Sequence, residues 1–222
     1  MTAAAAAPAT APAQTERPSA LHVYRDDGVL ARALGGTLGR ALALPPIVLI
    51  VAAAVPIAVA IVLEGNGAGD GLVAAVTAWA VLLAGASCGR PHEDRLRWMI
   101  PPALRVLEYG TVLWFGALAG AGDEGAAFAL LAVVAFRQYD LVYRLRHRGV
   151  TPPEWLNRLT AGWDGRLVVS CALLLLGALP TAFYVVAAVL GAVLVAESAV
   201  SWARFSRAQR PVMYEDEEDE GQ

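Results

Sequence analysis

The sequence predicts an all-α protein, a polytopic membrane helix bundle of about six transmembrane helices with both termini in the cytoplasm. Hydrophobic residues make up 57% of the chain, and charged residues make up 17% where a soluble domain usually has about 25%. From position 41 onward, apolar stretches recur at close to the ~20 residues that a helix needs to cross a bilayer. The arginines of the connecting segments are confined to every second segment, as the positive-inside rule requires.

Composition at the two ends divides the chain into three parts. Residues 1–20 are rich in Ala and Pro and are predicted to form a disordered lead. Residues 207–222 contain an acidic run and are predicted to form a disordered tail. Residues 21–206 between them are predicted to be a single integral membrane helical domain.

Six apolar segments are predicted to span the membrane. Their approximate bounds are 41–63, 71–89, 100–122, 125–147, a short fifth span from 167, and 181–204. Two further helices are predicted at the inner membrane surface. One is capped by Asp26-Asp27 and ends at Gly35-Gly36. The other begins at the capping box Thr151–Glu154, with Trp155, Leu156 and Leu159 facing lipid headgroups.

The distribution of arginine predicts which connecting segments lie outside. The segments Glu64–Asp70, Asp123-Glu124 and Gly177–Pro180 contain no arginine, whereas the segments that alternate with them do. Cytoplasmic loops carry an excess of basic residues. The sequence therefore predicts a multi-pass protein of the cell membrane with these three segments outside.

Several charged side chains are predicted to lie within the membrane. Arg137, Asp140 and Arg144 share one face of the fourth span at i, i+3 and i+7. Counting ~1.5 Å per residue from the outer turns places Glu108 at ~21 Å and Arg137 at ~18 Å. Charges at such depth are normally paired, so we predict a structural ion pair between Glu108 and Arg137.

Two interpretations of these charges stay open. In the first they are structural, and Arg105, Arg144 and Glu197 extend to the interface. In the second they form a cytoplasm-facing site for an anionic group such as a lipid phosphate, which the planar fork of arginine binds well. The residues predicted for this anionic-headgroup site are Arg105, Arg137, Asp140, Arg144, Tyr109 and Tyr143.

No catalytic residue, metal ligand or cofactor is predicted. Cys88, His92, Glu93 and Asp94 are metal-ligand residue types, but one loop supplies all of them, so we interpret them as a solvated loop. Asp164 is interpreted as the cap of the helix that follows it, rather than as a metal carboxylate. The net charge of -3 and the dispersed arginines exclude a nucleic-acid partner.

One segment resembles part of an enzyme signature. Asp27-Gly28-Val29-Leu30-Ala31-Arg32 is similar to the opening D-G-x-x-A-R of the CDP-alcohol phosphatidyltransferase signature. That signature continues with a glycine and two aspartates, where this chain has Ala41, Pro45 and Leu49. The missing aspartates bind metal ions in that family, so the half-match does not imply its activity here.

A second resemblance covers about residues 90–204. The segments that carry it are Pro101-Pro102, Glu108-Tyr109, Tyr139–Arg144, His147–Gly149 and Gly162–Arg166. They are similar to an actinobacterial integral-membrane family of unknown function, sometimes fused C-terminal to nucleotidyl- or phosphatidyltransferase domains. The resemblance implies proximity to phospholipid or cell-envelope synthesis, and it implies a lipid-synthesis enzyme in trans as a partner.

Three functions are compatible with the sequence. The preferred one is a non-catalytic membrane module that contacts membrane lipid and supports phospholipid or cell-envelope synthesis. The alternatives are an enzyme of phospholipid headgroup transfer and a small-molecule transporter. Divalent-metal binding separates the module from the enzyme, because phosphatidyl transfer needs clustered carboxylates on a metal.

Overall fold

The computed structural model describes residues 20–42, 44–90, 95–120 and 124–208. Every regular element in these ranges is helical, which confirms the predicted all-α class. The predicted disordered lead and acidic tail lie almost entirely outside the described residues, and so do His92, Glu93 and Asp94.

The helices follow the predicted order. They are α1 (Ala20–Arg25), α2 (Val29–Ala41), α3 (Pro46–Glu64), α4 (Asp70–Ala86), α5 (Ile100–Leu118), α6 (Glu124–Tyr143), α7 (Glu154–Leu159), α8 (Gly162–Leu175) and α9 (Thr181–Ala208). A 3-10 turn, Ser87–Gly89, extends α4, and a π-helical turn, Arg144–Arg148, extends α6. The six predicted spans correspond to α3, α4, α5, α6, α8 and α9.

Four of these helices are long and apolar enough to cross a membrane. With their adjoining turns, they cover Pro46–Gly67, Asp70–Gly89, Glu124–His147 and Thr181–Arg207. The other two predicted spans do not meet this description for physical reasons. Helix α5 carries Arg105 and Glu108 in its interior, and α8 has only 14 residues, or ~21 Å of helix.

Proline and glycine set the ends of α3. Pro46 is the first residue of the helix, where the missing N–H of proline has no intrahelical partner to lose. Gly65 ends it with a φ of 53°, which costs glycine little. Pro56 lies inside the helix.

The helices pack around one core. Helix α3 packs against α4 and α5, α8 also packs against α4 and α5, and α6 packs against α5 and α9. Small side chains such as Ala53, Ala80 and Ala84 are fully buried at these contacts, as is usual where membrane helices approach closely. Phe115 and Trp163 fill the larger spaces.

The predicted end of α2 at Gly35-Gly36 is wrong, because the helix continues to Ala41. Gly35 and Gly39 lie on the face of α2 that packs against the end of α4. A Cβ on Gly35 would lie 2.5 Å from the amide nitrogen of Gly89, and one on Gly39 would lie 2.4 Å from the carbonyl oxygen of Ala86. The glycines therefore allow close helix approach rather than end the helix.

Helix α7 exists as predicted, but it is not capped by Thr151. Pro153 is the N-cap residue and no side chain caps the helix, since Thr151 lies two residues too early in the chain. Leu156 is buried rather than turned to the headgroups, whereas Trp155 and Leu159 are about half exposed.

Candidate functional site

Two backbone turns meet at one end of the bundle. The turn between α1 and α2 passes through Asp26, with φ 54°, and the turn between α7 and α8 passes through Ala161, with φ 58°. The N–H of Trp163 donates to the carbonyl oxygen of Asp26 at 3.1 Å. Gly28 and Gly162 touch here, because a Cβ on Gly162 would lie 2.3 Å from the nitrogen of Gly28.

Asp164 is a helix cap, but it caps α2 and not its own helix. Its carboxylate oxygens accept the N–H groups of Gly28 at 2.6 Å and Ala31 at 3.0 Å. Gly28 is the N-cap residue of α2 and has no side chain to do this. Asp164 therefore ties α8 to the start of α2.

Five side chains form what we call the inner charge cluster: Asp26, Glu108, Arg105, Arg137 and Arg166. Glu108 accepts from Arg105 and from the Nε of Arg166, the latter at 2.6 Å. Asp26 accepts from Arg166 at 2.9 Å and from Arg137 at 3.0 Å. Four segments of the chain are thereby joined, namely the α1–α2 turn, α5, α6 and α8.

Neutral groups accept further hydrogen bonds from the arginines of this cluster. Arg137 also donates to the side-chain oxygen of Asn157 at 2.8 Å, and Arg166 donates to the carbonyl oxygen of Thr160 at 3.0 Å. Arg105 donates to the carbonyl oxygen of Arg25. Among the described residues, the Nε atoms of Arg105 and Arg137 have no hydrogen-bond partner.

The charge state of Asp26 follows from its surroundings. Burial by itself raises the pKa of this carboxyl, but the nearby guanidinium groups of Arg166, Arg137 and Arg105 outweigh burial and hold the pKa below its usual value. Asp26 is therefore a carboxylate at neutral pH. The cluster is buried, and it is held by opposite charges in direct contact.

The predicted ion pair between Glu108 and Arg137 is wrong. Glu108 pairs with Arg105 and Arg166, and Arg137 pairs with Asp26. The reason is the α1–α2 turn, which inserts the Asp26 carboxylate between the helices at the depth where Glu108 was expected to meet Arg137.

A second group of polar side chains joins α6 to α9. The Nε of Arg144 donates to Asp140 at 2.7 Å, and its two terminal nitrogens donate to the two carboxylate oxygens of Glu197. Arg144 also donates to the hydroxyl of Ser201 at 3.1 Å, and the hydroxyl of Ser198 donates to Asp140 at 3.2 Å.

The six residues predicted for the anionic-headgroup site do not form one layer. Arg105 and Arg137 belong to the inner charge cluster, whereas Asp140 and Arg144 belong to the α6–α9 group. Tyr109 is half-buried against the core. Tyr143 packs between the rings of His147 and Trp202, with centroids 4.4 and 5.3 Å away.

Both arginines on that face of α6 are paired with carboxylates. Arg144 contacts two carboxylates, Asp140 and Glu197. Arg137 contacts Asp26, which Arg166 shares. A site for an anionic ligand therefore needs a cation other than Arg137 and Arg144.

Such a cation lines a cleft next to Arg144, which we call the outer cleft. This cleft has a volume of about 690 Å³ and lies between α6, α9 and the segment leading into α7. Its lining residues are Arg144, Val150, Thr151, Pro153, Trp155, Val193, Ala196, Glu197, Val200, Ser201 and Arg204. Arg204 is exposed, and within the part of the chain that the structure describes it makes no salt bridge.

A second cleft, of about 440 Å³, adjoins the inner charge cluster and is lined in part by Asp26, Asp27 and Cys88. Its two aspartates are already engaged, since Asp26 pairs with arginines and Asp27 accepts from Arg25 and from the indole N–H of Trp163. No group of three His, Cys, Asp or Glu residues among the described residues could hold a metal ion.

The sequence did not assign Asp26, Asp27, Asn157 or Arg166 to the site. Asp26 and Asp27 were predicted to cap a helix, and Asn157 and Arg166 had no predicted role. Arg166 lies in the segment Gly162–Arg166 that carries the family resemblance, which is the one signal that could have identified it.

Comparison with known proteins identifies the chain at the level of family. No curated protein and no solved structure matches it. A family model described as "Family of unknown function (DUF5941)" matches residues 16–220, almost the whole chain. The chain therefore belongs to this family of unknown function.

Proposed function

We propose that this protein is a non-catalytic multi-pass module of the cell membrane that holds an anionic phospholipid headgroup in the outer cleft. The proposed topology has six spans, with both termini in the cytoplasm. The proposed setting is phospholipid or cell-envelope synthesis, beside a lipid-synthesis enzyme in trans. The setting is supported only by the resemblance to an actinobacterial family with such domain fusions.

The observation that carries the headgroup proposal is the mixed lining of the outer cleft. Arg144, Glu197, Ser201 and Arg204 line it together with Val193, Ala196 and Val200. A phospholipid likewise combines a phosphate with apolar chains. Trp155 also lines the cleft and is about half exposed, in the manner of the tryptophans that anchor proteins at membrane interfaces.

Arg204 is the residue proposed to bind the phosphate. Two carboxylates, Asp140 and Glu197, contact Arg144, which positions its guanidinium and leaves this group with no positive charge for a ligand. Arg204 lies about two turns beyond Glu197 on α9, faces the same cleft and is exposed. A hydrogen bond from arginine to a charged group such as phosphate contributes about 1.5–3 kcal/mol.

The buried charges of α5 support a six-span topology even though they make this helix less apolar than the other predicted spans. Arg105 and Glu108 contact each other and Arg166, so α5 presents them to the bundle and not to lipid. Helix α8 is short but packs against α4 and α5. Intramembrane charges of this kind are expected where they face the bundle interior and are paired.

The topology is tested by labelling single cysteines in a background in which Cys88 and Cys171 are replaced by alanine. Gly67→Cys lies between α3 and α4, and Ser206→Cys lies near the end of α9; both positions are exposed. In intact cells, an impermeant thiol reagent is expected to label Gly67→Cys and to leave Ser206→Cys unlabelled. After the cells are broken, both should be labelled. Labelling of Ser206→Cys alone in intact cells would invert the topology.

The headgroup site is tested by native mass spectrometry in equimolar dioleoyl phosphatidylglycerol and dioleoyl phosphatidylcholine. The wild type is expected to retain the anionic lipid preferentially. Arg204→Gln should lower this preference about tenfold or more, since a hydrogen bond to a charged group contributes about 1.5–3 kcal/mol. Arg207→Gln, on the same helix but outside the cleft, is the matched control and should change it little. An equal decrease in both variants would indicate general surface charge in place of a site.

A further inference from the structure

The cleft that adjoins the inner charge cluster, which we call the inner cleft, is not used by the headgroup proposal. Its volume is about 440 Å³, within the ~300–1,000 Å³ of typical small-molecule sites. Residues of the α1–α2 turn, the first turn of α2, α6 and α7 contribute to its lining. The charged and amide side chains among them are Asp26, Asp27, Arg32, Glu154 and Asn157.

The carboxylates that line the inner cleft are already engaged. The two oxygens of Asp26 each accept from an arginine, at 2.9 and 3.0 Å. The two oxygens of Asp27 accept from Arg25 at 2.5 and 3.2 Å. Glu154, which is exposed, pairs with Arg158. These carboxylates therefore have little capacity left to bind a cation.

Two side chains of the inner cleft have free donors. The Nε of Arg32 donates to the carbonyl oxygen of Gly28 at 3.1 Å, and the terminal nitrogens of Arg32 have no partner among the described residues. The side-chain oxygen of Asn157 accepts from Arg137 at 2.8 Å, whereas its amide nitrogen likewise has no partner in the described part of the chain. A ligand that bonds to these groups must present acceptor atoms.

Arg137 lies directly behind the wall of the inner cleft, because two of its acceptors, Asp26 and Asn157, line the cleft. Arg137 is only 3% exposed, and its Nε has no hydrogen-bond partner within the described ranges. A buried donor of a charged group that stays unbonded costs free energy. The surroundings of the cleft therefore favour an acceptor.

Positive charge is in excess around the inner cleft. Within the inner charge cluster, three arginines share two carboxylates. The adjoining charges are the pair of Arg25 and Asp27, the capping carboxylate of Asp164, and Arg32. With these included, five arginines face four carboxylates, and among the described residues Arg32 is the one of the five that contacts no carboxylate. The unbalanced charge thus belongs to a residue that lines the cleft.

We propose that the inner cleft binds a phosphate group and that Arg32 supplies the positive charge that holds it. A phosphate presents several acceptor oxygens, and the planar fork of arginine binds two of them at once. The amide of Asn157 donates to a further oxygen. This site is separate from the outer cleft and does not rest on the headgroup proposal. The phosphate is that of a soluble ester or of a lipid headgroup, which the ligands tested below distinguish.

Phosphate binding is measured as the rise in the thermal unfolding midpoint when inorganic phosphate is titrated into the full chain in mild detergent, with chloride holding the ionic strength constant. A ligand that binds only the folded state stabilises it according to its concentration and affinity. Arg32→Gln is expected to raise the apparent dissociation constant about tenfold or more, because a hydrogen bond between charged groups is lost. Arg40→Gln, which removes an exposed arginine of α2 that does not line the cleft, is the matched control and should change it little.

Asn157→Asp tests the same site from α7. The side chain keeps its size, but the free amide donor becomes a carboxylate oxygen, and the added negative charge meets Arg137. The midpoint should then no longer depend on phosphate beyond the general stabilisation that this salt gives to any folded protein. If Arg32→Gln and Asn157→Asp both respond to phosphate as the wild type does, the inner cleft does not bind it and the proposal is wrong.

Two further ligands identify the source of the phosphate. Glycerol 3-phosphate and dioleoyl phosphatidic acid carry the same phosphate monoester, one in solution and the other on a lipid. A rise in midpoint with glycerol 3-phosphate that Arg32→Gln removes would assign a soluble ester, and such a rise with phosphatidic acid alone would assign a lipid headgroup. Arg204→Gln, in the outer cleft, should leave the response to inorganic phosphate unchanged, so either proposal can fail without the other. No response of the wild type to any of the three ligands would overturn this one.

Discussion

Replacing Glu108 with alanine is expected to destabilise the protein by about 3–5 kcal/mol, the cost of leaving a buried charge without its partner. Glu108 is 1% exposed and accepts from both Arg105 and Arg166. Without it, Arg105 keeps only the carbonyl oxygen of Arg25 as an acceptor, and Arg166 keeps Asp26 and a carbonyl. Asp26, the other carboxylate of the inner charge cluster, cannot replace it, because Arg137 and Arg166 already share Asp26.

The loss is measured as a shift in thermal unfolding in mild detergent, with Glu154→Ala as the control. Glu154 also pairs with an arginine, Arg158, but the two side chains are 77% and 72% exposed. Exposed ion pairs contribute about 0–1 kcal/mol, so the control should unfold close to the wild type. Equal, small shifts for both variants would show that water reaches the inner charge cluster and that its pairs do not hold the bundle together.

The helices themselves could be predicted from the sequence because their causes are local. Apolar runs close to the length of a bilayer crossing, together with prolines and glycines at their ends, gave bounds for α3, α4, α6 and α9 that agree with the structure to within a few residues. Helix α8 was also expected to be short, since Gly177 and Pro180 interrupt the apolar run that contains it. Each of these signals, an apolar run or a proline or glycine at its end, lies within or next to the helix that it predicts.

The contacts of the charged residues could not be predicted in the same way. Counting residues along a span gives an expected depth for a side chain, and it placed Glu108 and Arg137 at similar levels. It gives no depth for Asp26, which lies in a turn between two helices and enters the bundle only through tertiary packing. The partner of Arg137 was therefore assigned to the nearest span, whereas the turn supplies it.

The structural role of a glycine could not be predicted from the sequence for a related physical reason. The same residue ends helices, because it accepts a positive φ, and permits close contact, because it has no side chain. Gly35 was taken as an end signal, although a Cβ there would lie 2.5 Å from the backbone of Gly89. A sequence shows the residue but not the segment that approaches it. The spacing of Gly35 and Gly39 by four residues was the available sign of a packed face.

The second large effect is expected at Gly162, where an alanine should destabilise the protein by roughly 2–5 kcal/mol. Two causes add. Gly162 has a φ of 71°, which costs a residue with a Cβ about 1–2 kcal/mol. The new Cβ would also lie 2.3 Å from the nitrogen and 2.4 Å from the Cα of Gly28. Both are backbone atoms, so relief requires moving the α1–α2 turn, which carries Asp26 into the inner charge cluster.

Gly149→Ala separates the two causes. Gly149 has a φ of 61°, and nothing lies within 4 Å of the position of a Cβ. This variant should therefore show the backbone cost alone, about 1–2 kcal/mol, in the same thermal unfolding measurement. The remainder of the Gly162→Ala effect is the cost of separating the two turns. If both variants lose the same stability, the turns do not meet as closely as the distances at Gly28 require, and Asp164 could not cap α2 from α8.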